Sequence, residues 1–166
     1  MEAGRFEVGP SRCIAQQGDL GGKAEVTLNV FFDSSALAKR YIEEKGTDQV
    51  QAILSSASAL AVSVICVPEI VSALCRRRRE RKLSTEEYRN AKAAVLTDID
   101  DAAVIGITEE VIARGVELLE QFPLCSADAL HIASAAEWST DLFVSADDRQ
   151  WKAARARGLR VEGIRV

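Results

Sequence analysis

The chain has few of the residues that build sulfur- and nitrogen-based metal sites. Its 166 residues include four cysteines and a single histidine. No two cysteines form a C-x-x-C pair, and His131 alone cannot complete a Cys/His zinc pattern. We interpret Cys66, Cys75 and Cys125 as small buried hydrophobic residues of a reducing cytosol. A zinc-binding or disulfide-stabilised protein is therefore not expected.

Proline, glycine and long apolar runs are also scarce. With 3 prolines and 10 glycines, the chain cannot be collagen-like or proline-rich. Its longest uncharged apolar stretch, residues 59–68, is too short to cross a bilayer. The N-terminus lacks the basic start and following apolar run that are typical of a secretory signal. We therefore expect a cytoplasmic protein without a membrane partner. What remains is an ordinary globular composition, with 48% hydrophobic and 28% charged residues.

The length predicts one domain, preceded by a segment of different composition. Residues 1–26 hold five of the ten glycines and no sustained apolar period. We interpret them as a poorly ordered N-terminal extension or a start-site artefact, and we expect the globular domain to span residues 27–166.

Strand and helix patterns alternate through that domain. Apolar β-rich runs predict strands, and amphipathic stretches between capping residues predict helices. The predicted strands are 28–32, 60–65, 104–107, 141–145 and 159–164. The predicted helices are 34–44, 48–56, 69–81, 84–99, 109–121, 126–138 and 148–157, with Ser126 as the cap of the sixth. This alternation predicts an α/β fold with a mostly parallel sheet covered on both faces.

Four acidic residues fall where predicted strands or loops lead into helices: Asp33, Glu69, Asp128 and Asp147. The carboxyl ends of parallel strands share one edge of a sheet, so acids distant in sequence can meet there. Each acid taken alone is also what a first helical turn prefers, because it complements the helix dipole. Both interpretations remain open at the level of sequence.

Four carboxylates at one edge would repel one another unless a cation neutralised them. Oxygen ligands without a His or Cys cluster suit Mg²⁺ or Mn²⁺ rather than zinc. Such ions keep bound waters and bind phosphate oxygens. The pattern therefore favours phosphoryl chemistry, in which a metal-activated water attacks phosphorus in line.

A basic segment, residues 76–82, contrasts with an otherwise acidic chain of formal net charge −4. Its six basic residues are Arg76, Arg77, Arg78, Arg79, Arg81 and Lys82. One interpretation is a solvated helix end whose cations complement the dipole. The other is a clamp for a nucleic-acid backbone, and the two are compatible.

Three further residues are weaker candidates. Ser35 and Ser145 flank Asp33 and Asp147, where they could orient carboxylates or only cap a turn. His131 follows Asp128 by three residues, and as a lone histidine we interpret it as structural.

Four sequence blocks together resemble the PIN domain, and most closely the VapC toxins of prokaryotic toxin–antitoxin pairs. They are FDSSALAKRY at 32–41, VPEI at 67–70, SADALHIA at 126–133 and SADDR at 145–149. Each block is weak alone, but all four occur in order at strand–helix junctions. The similarity covers about residues 29–164.

The resemblance implies a three-layer α/β/α sandwich and a Mg²⁺- or Mn²⁺-dependent endoribonuclease that hydrolyses RNA phosphodiester bonds. It implies metal binding by Asp33, Asp128 and Asp147, with Glu69 binding a metal or orienting the attacking water. Ser35 and Ser145 match the family's hydroxyl positions near the metal, and Asp148 is a further candidate acid. These are expectations carried by the similarity of the motifs.

The resemblance also implies partners. Members usually form homodimers and are inhibited by a cognate antitoxin protein, which inserts a peptide into the cleft, often with a basic residue towards the acids. The alternatives are an RNA-processing or structure-specific nuclease of the same fold, or a non-catalytic acidic binding module such as a phospho-acceptor receiver. A receiver would need neighbouring acids on its first strand, whereas these acids are spread along the chain.

Overall fold

A five-stranded sheet forms the centre of the molecule. The computed structural model describes residues 27–165. All the neighbouring strands are parallel, in the order β3-β2-β1-β4-β5. Their bounds are β1 Asn29–Phe32, β2 Ala59–Ser63, β3 Ala103–Ile105, β4 Leu142–Ser145 and β5 Val161–Gly163. The predicted parallel α/β fold is confirmed, whereas the predicted extension at 1–26 lies outside the described residues.

In the part of the chain that the structure describes, seven α-helices cover the two faces of the sheet. They are α1 Ser34–Leu37, α2 Thr47–Ser56, α3 Cys66–Arg79, α4 Thr85–Asp100, α5 Glu109–Gln121, α6 Ser126–Glu137 and α7 Asp148–Ala156. Within residues 27–165, no helix combines the length and apolarity that a membrane crossing requires.

Alternation along the strands supplies two hydrophobic cores. Val30 and Phe32 of β1 pack into one cluster with α1–α4, and Phe31 packs into the other with α5–α7. On that second face, the rings of Phe31 and Phe143 stack with centroids 6.0 Å apart. Burial on both faces explains why β1 and β4 are continuous apolar runs rather than alternating ones.

The predicted helix at 34–44 is wrong in its length. α1 has only four residues and passes into a 3-10 turn at Ala38–Arg40. The Thr47 hydroxyl donates to the carbonyl oxygen of Lys39 at 2.9 Å and to that of Glu44 at 2.8 Å. These bonds take a carbonyl that a continuing helix would need, so the chain turns away there.

The predictions for Ser126 and Cys125 are also wrong. Cys125 has the extended backbone of an N-cap and its sulfur accepts from the Asp128 amide, while Ser126 is the first helical residue of α6. Cys125 is exposed rather than buried, because it lies in the loop before α6; Cys66 is buried as expected, and Cys75 is partly buried. Apolar neighbours in sequence do not fix the burial of a loop residue.

Candidate functional site

The site begins at the carboxyl ends of the two central strands. Asp33 follows β1 and Asp147 follows Ala146, just past β4, and these strands are paired neighbours. The backbone N–H of Asp33 donates to the carbonyl oxygen of Val144 at 3.0 Å, which fixes Asp33 beside the end of β4. Residues more than a hundred positions apart are therefore brought to one edge of the sheet.

Asp33 is buried and receives four different donors. Its carboxylate accepts from the hydroxyls of Ser35, at 2.9 and 2.7 Å, and Ser145, at 2.9 Å. It also accepts from the Ala36 backbone N–H at 2.8 Å and the Gln150 amide nitrogen at 2.9 Å. The two serines singled out by sequence thus both orient the same carboxylate.

Burial and these donors act on Asp33 in opposite directions. Removal from water raises the pKa of Asp33 above its ordinary value, and the nearby His131 and the hydrogen bonds from Ala36, Ser35 and Ser145 only partly offset this. The ionised carboxylate is consequently held at a cost to folding. A carboxyl group whose pKa is perturbed in this way is more typical of a functional site than of a helix cap.

Gln150 connects Asp33 to Asp128. Its Nε2 donates to Asp33 Oδ2 at 2.9 Å and to Asp128 Oδ1 at 3.0 Å. The side chain is buried, and within residues 27–165 its Oε1 finds no hydrogen-bond partner. One amide group therefore separates two carboxylates and leaves a buried oxygen unsatisfied.

Arg149 connects Asp128 to Asp147. Its Nη2 lies 2.7 Å from Asp147 Oδ2 and 3.6 Å from Asp128 Oδ2, and its Nε lies 3.2 Å from Asp147 Oδ1. The hydrogen bonds and charge of Arg149 lower the pKa of Asp147 below its ordinary value. These three acids thus form one linked group around the first turn of α7.

Glu69 lies in the first turn of α3, which Pro68 also occupies as predicted. Its Oε2 contacts His131 Nε2 at 2.6 Å and accepts from the Ser34 hydroxyl at 2.9 Å. Partial burial raises the pKa of Glu69, but these two contacts outweigh it and hold the pKa below its ordinary value. Since Ser34 adjoins Asp33, this pair lies next to the three linked acids.

The capping interpretation of these acids is also correct in part. Asp33 is the N-cap of α1 and accepts from the Ala36 N–H; Asp147 is the N-cap of α7 and accepts from the Arg149 N–H. Asp128 forms a capping box with Cys125. Capping does not compete with a functional role, because each carboxylate has further acceptor positions.

The donor set suits a hard divalent cation, although nitrogen atoms now stand between the carboxylates. Within residues 27–165, no three Asp, Glu, His or Cys side chains are arranged closely enough to hold a metal ion. The linking donors are Gln150 Nε2 and Arg149 Nη2, which face the oxygens a metal would need. The acidic ligands are all oxygen donors, a type that fits Mg²⁺ or Mn²⁺.

The basic segment forms the far end of α3 and the turn that follows. Arg76, Arg78, Arg79, Arg81 and Lys82 are exposed. Arg77 is partly buried and pairs with Glu44. The helical rise puts Arg79 about 15 Å along the axis from Glu69. The basic segment flanks the acidic edge rather than entering it.

Asp148, the further candidate acid, is also exposed and pairs with Lys152.

Two residues that contact the site acids, Arg149 and Gln150, were not singled out from the sequence, and a third, His131, was interpreted as structural. Helical spacing could have indicated them. Arg149 and Gln150 follow the N-cap Asp147 within the first turn, and His131 is one turn beyond Asp128 on the same helix. His131 is buried and contacts Glu69 because α6 and α3 start at the same edge of the sheet, and its interpretation as structural stays a prediction.

Comparison with known proteins agrees with this architecture. The family model described as "PIN domain" matches residues 30–156. No curated protein matches the chain.

Solved structures share the fold at low sequence identity. The VapC20 Sarcin-Ricin loop cleaving toxin of Mycobacterium tuberculosis is 17% identical with a TM-score of 0.60, over 78% of this chain and 95% of that one. DNA-bound VapBC from Salmonella typhimurium is 13% identical with a TM-score of 0.59, over 84% of this chain and 100% of that one. FitAcB from Neisseria gonorrhoeae is 16% identical with a TM-score of 0.60, over 80% of this chain and 95% of that one.

Proposed function

Because the chain belongs to the PIN domain family, we propose that it is a Mg²⁺- or Mn²⁺-dependent endoribonuclease and the toxin of a toxin–antitoxin pair. The observation that carries the proposal is the linked group of three carboxylates, Asp33, Asp128 and Asp147, at the carboxyl edge of a parallel sheet. A purely structural edge gains nothing from burying one aspartate beneath two other acids.

The cation would be held by Asp33, Asp128 and Asp147. When bound, it supplies a Lewis acid for a phosphodiester and lowers the pKa of a bound water. Ser35 and Ser145 fix the direction of the Asp33 carboxylate through three hydrogen bonds. Glu69, held by His131 and Ser34 and with its pKa lowered, stays ionised at neutral pH and accepts a proton or orients water.

RNA would approach along the face that carries the exposed arginines of α3. Their charges attract phosphates without reading bases, so they contribute affinity and orientation rather than sequence choice. Of the six basic residues predicted from sequence, Arg77 has the weakest case, because Glu44 already pairs with it.

The proposal includes protein partners as well. The similar structures include a toxin–antitoxin complex from Klebsiella pneumoniae and VapBC2 from Rickettsia felis bound to a promoter DNA fragment. We propose a cognate antitoxin for this chain and a homodimeric, cytoplasmic state. Toxicity on induction in a bacterial host, relieved by co-expression of the neighbouring open reading frame, would support the toxin role; harmless induction would contradict it.

The nuclease role is tested by cleavage of RNA with Mg²⁺ or Mn²⁺, with and without EDTA. We expect Asp33→Asn to lower the rate at least about a hundredfold, since the variant removes a ligand charge from the metal site. Asp48→Asn is the matched control, because Asp48 is an exposed first-turn acid of α2 away from the site. An unchanged rate for Asp33→Asn would refute the site assignment.

The same assay separates the alternatives. Structured RNA, linear RNA and flapped DNA are compared at equal concentration. Preference for flapped DNA would favour a structure-specific nuclease, and preference for structured RNA an RNA-processing enzyme. No metal-dependent cleavage of any substrate would favour a binding module.

A further inference from the structure

Two adjacent residues at the start of α7 provide the links among the three carboxylates. Gln150 bridges Asp33 and Asp128 with a neutral amide, and Arg149 bridges Asp128 and Asp147 with a full positive charge. Their surroundings differ sharply. The Gln150 residue is 3% exposed, whereas the Arg149 side chain is 54% exposed.

Arg149 therefore lies where it can be replaced. Its guanidinium faces both oxygens of Asp147 and Oδ2 of Asp128, and the two acidic side chains are 24% and 14% exposed. A cation shared by the two acids would need the same oxygens. Since more than half of Arg149 is in solvent, it can swing outwards without opening the core, whereas Gln150 cannot.

We propose that Arg149 is an internal competitor of the divalent cation: it neutralises Asp128 and Asp147 itself, and the metal must displace it to bind. This rests on the proposed function, because the metal is the one assigned there. The competition sets the metal concentration at which the site fills. It also frees a guanidinium beside the metal whenever the metal binds, available to a substrate phosphate.

The competition predicts a specific change in metal affinity. Arg149→Ala removes the positive charge from the two acids, so we expect Mn²⁺ to bind about fivefold more tightly, the size expected for exposed ion pairs. The gain should shrink as salt rises from 50 mM to 500 mM, since screening already weakens the Arg149 pairs. Arg149→Lys keeps the charge but loses the forked geometry of the guanidinium. Its Mn²⁺ affinity should therefore lie between those of wild type and Arg149→Ala.

The experiment titrates the full chain with Mn²⁺ after EDTA treatment and dialysis, with free Mn²⁺ measured by electron paramagnetic resonance. Lys152→Ala is the matched control: it removes a positive charge from the same helix, where Lys152 pairs with Asp148 and not with the three acids. It should leave the affinity within about twofold of wild type, as expected for an exposed surface charge.

The outcomes separate this inference from the proposed function. If wild type binds Mn²⁺ and Arg149→Ala binds it no more tightly than Lys152→Ala does, the competition is refuted while the metal site stands. If neither wild type nor Arg149→Ala binds Mn²⁺, the metal assignment fails and the inference fails with it. Tighter Mn²⁺ binding by Arg149→Ala than by wild type and Lys152→Ala, with the salt dependence above, supports the competition.

Discussion

At the scale of single residues, the site is organised by side chains that neutralise or orient acids. Asp33 is the clearest case, because burial raises its pKa while four donors keep its oxygens satisfied. The sequence predicts that four acids at one edge need a cation to neutralise them. The structure adds that Gln150, Arg149 and His131 supply part of that stabilisation from within the chain.

Asp33→Asn should make the protein more stable in EDTA at pH 7, raising Tm by about 3 °C. The ionised form of Asp33 is penalised by burial, whereas the neutral amide of asparagine carries no charge that burial would desolvate. Because its folded-state pKa is raised, the penalty is fully present above that pKa and absent below the ordinary value of 3.8.

The advantage of Asp33→Asn should accordingly shrink as the pH falls towards 4. Thermal unfolding followed by circular dichroism between pH 4 and 8 measures it, and Asp48→Asn should show no such gain. A lower Tm for Asp33→Asn at pH 7 would mean that the four donors more than compensate for burial.

At the scale of elements, helix starts do most of the positioning. α3, α6 and α7 all begin at the carboxyl edge of the sheet, and each carries a site acid in its first turn or as its N-cap. Pro68 predicted the start of α3 to within three residues, whereas the cap of α6 is Cys125 and not the predicted Ser126. The short α1 was not predictable, because the Thr47 hydroxyl that diverts the chain lies beyond the helical pattern itself.

α3 runs from the acidic edge to the basic segment. The arginines in the second half of this helix can therefore be tested separately for RNA binding. Arg76→Ala with Arg79→Ala, made in an Asp33→Asn background, should weaken binding of single-stranded RNA. The plot of log affinity against log salt concentration should become less steep: the magnitude of its negative slope should decrease by about 1.4, at roughly 0.7 for each lost phosphate contact. Fluorescence anisotropy at several salt concentrations provides the measurement.

Arg160→Ala is the control for this helix. Arg160 is exposed and precedes β5, so it lies at the opposite, amino-terminal edge of the sheet. It should leave the slope unchanged. Equal slopes for the double variant and the Asp33→Asn protein that carries both arginines would contradict RNA binding by α3. The arginines would then only complement the dipole at the end of the helix.

At the scale of the whole molecule, topology decides which parts of the sequence argument succeed. The alternation of apolar runs predicts five strands and their approximate positions, but not that β1 has β4 as a neighbour. That pairing brings Asp33 to Ser145, and it is invisible locally. Gln150 could not be assigned from sequence for the same reason, because an amide becomes a bridge only at a specific spacing of two acids.

A cation bound at this edge should stabilise the entire fold. It would join β1, α6 and the end of β4, so unfolding would release it. At a Mn²⁺ concentration of about a hundred times Kd, linkage adds about 2.7 kcal/mol, which corresponds to a rise in Tm of about 8 °C. Differential scanning calorimetry should show this rise in wild type and Asp48→Asn but little of it in Asp147→Asn; equal rises in all three would place the cation elsewhere.

The pairing of β1 with β4 also has a consequence for biosynthesis. A chain emerging amino terminus first presents Asp33 and Glu69 early, yet β4, Asp147 and the first turn of α7 come only from residue 142 onwards. Asp33 lacks Ser145 and Gln150 until then. A polypeptide that ends before residue 142 therefore carries three of the four acids but no assembled cluster, so the proposed cleavage of RNA would begin only once β4 and the start of α7 have been synthesised.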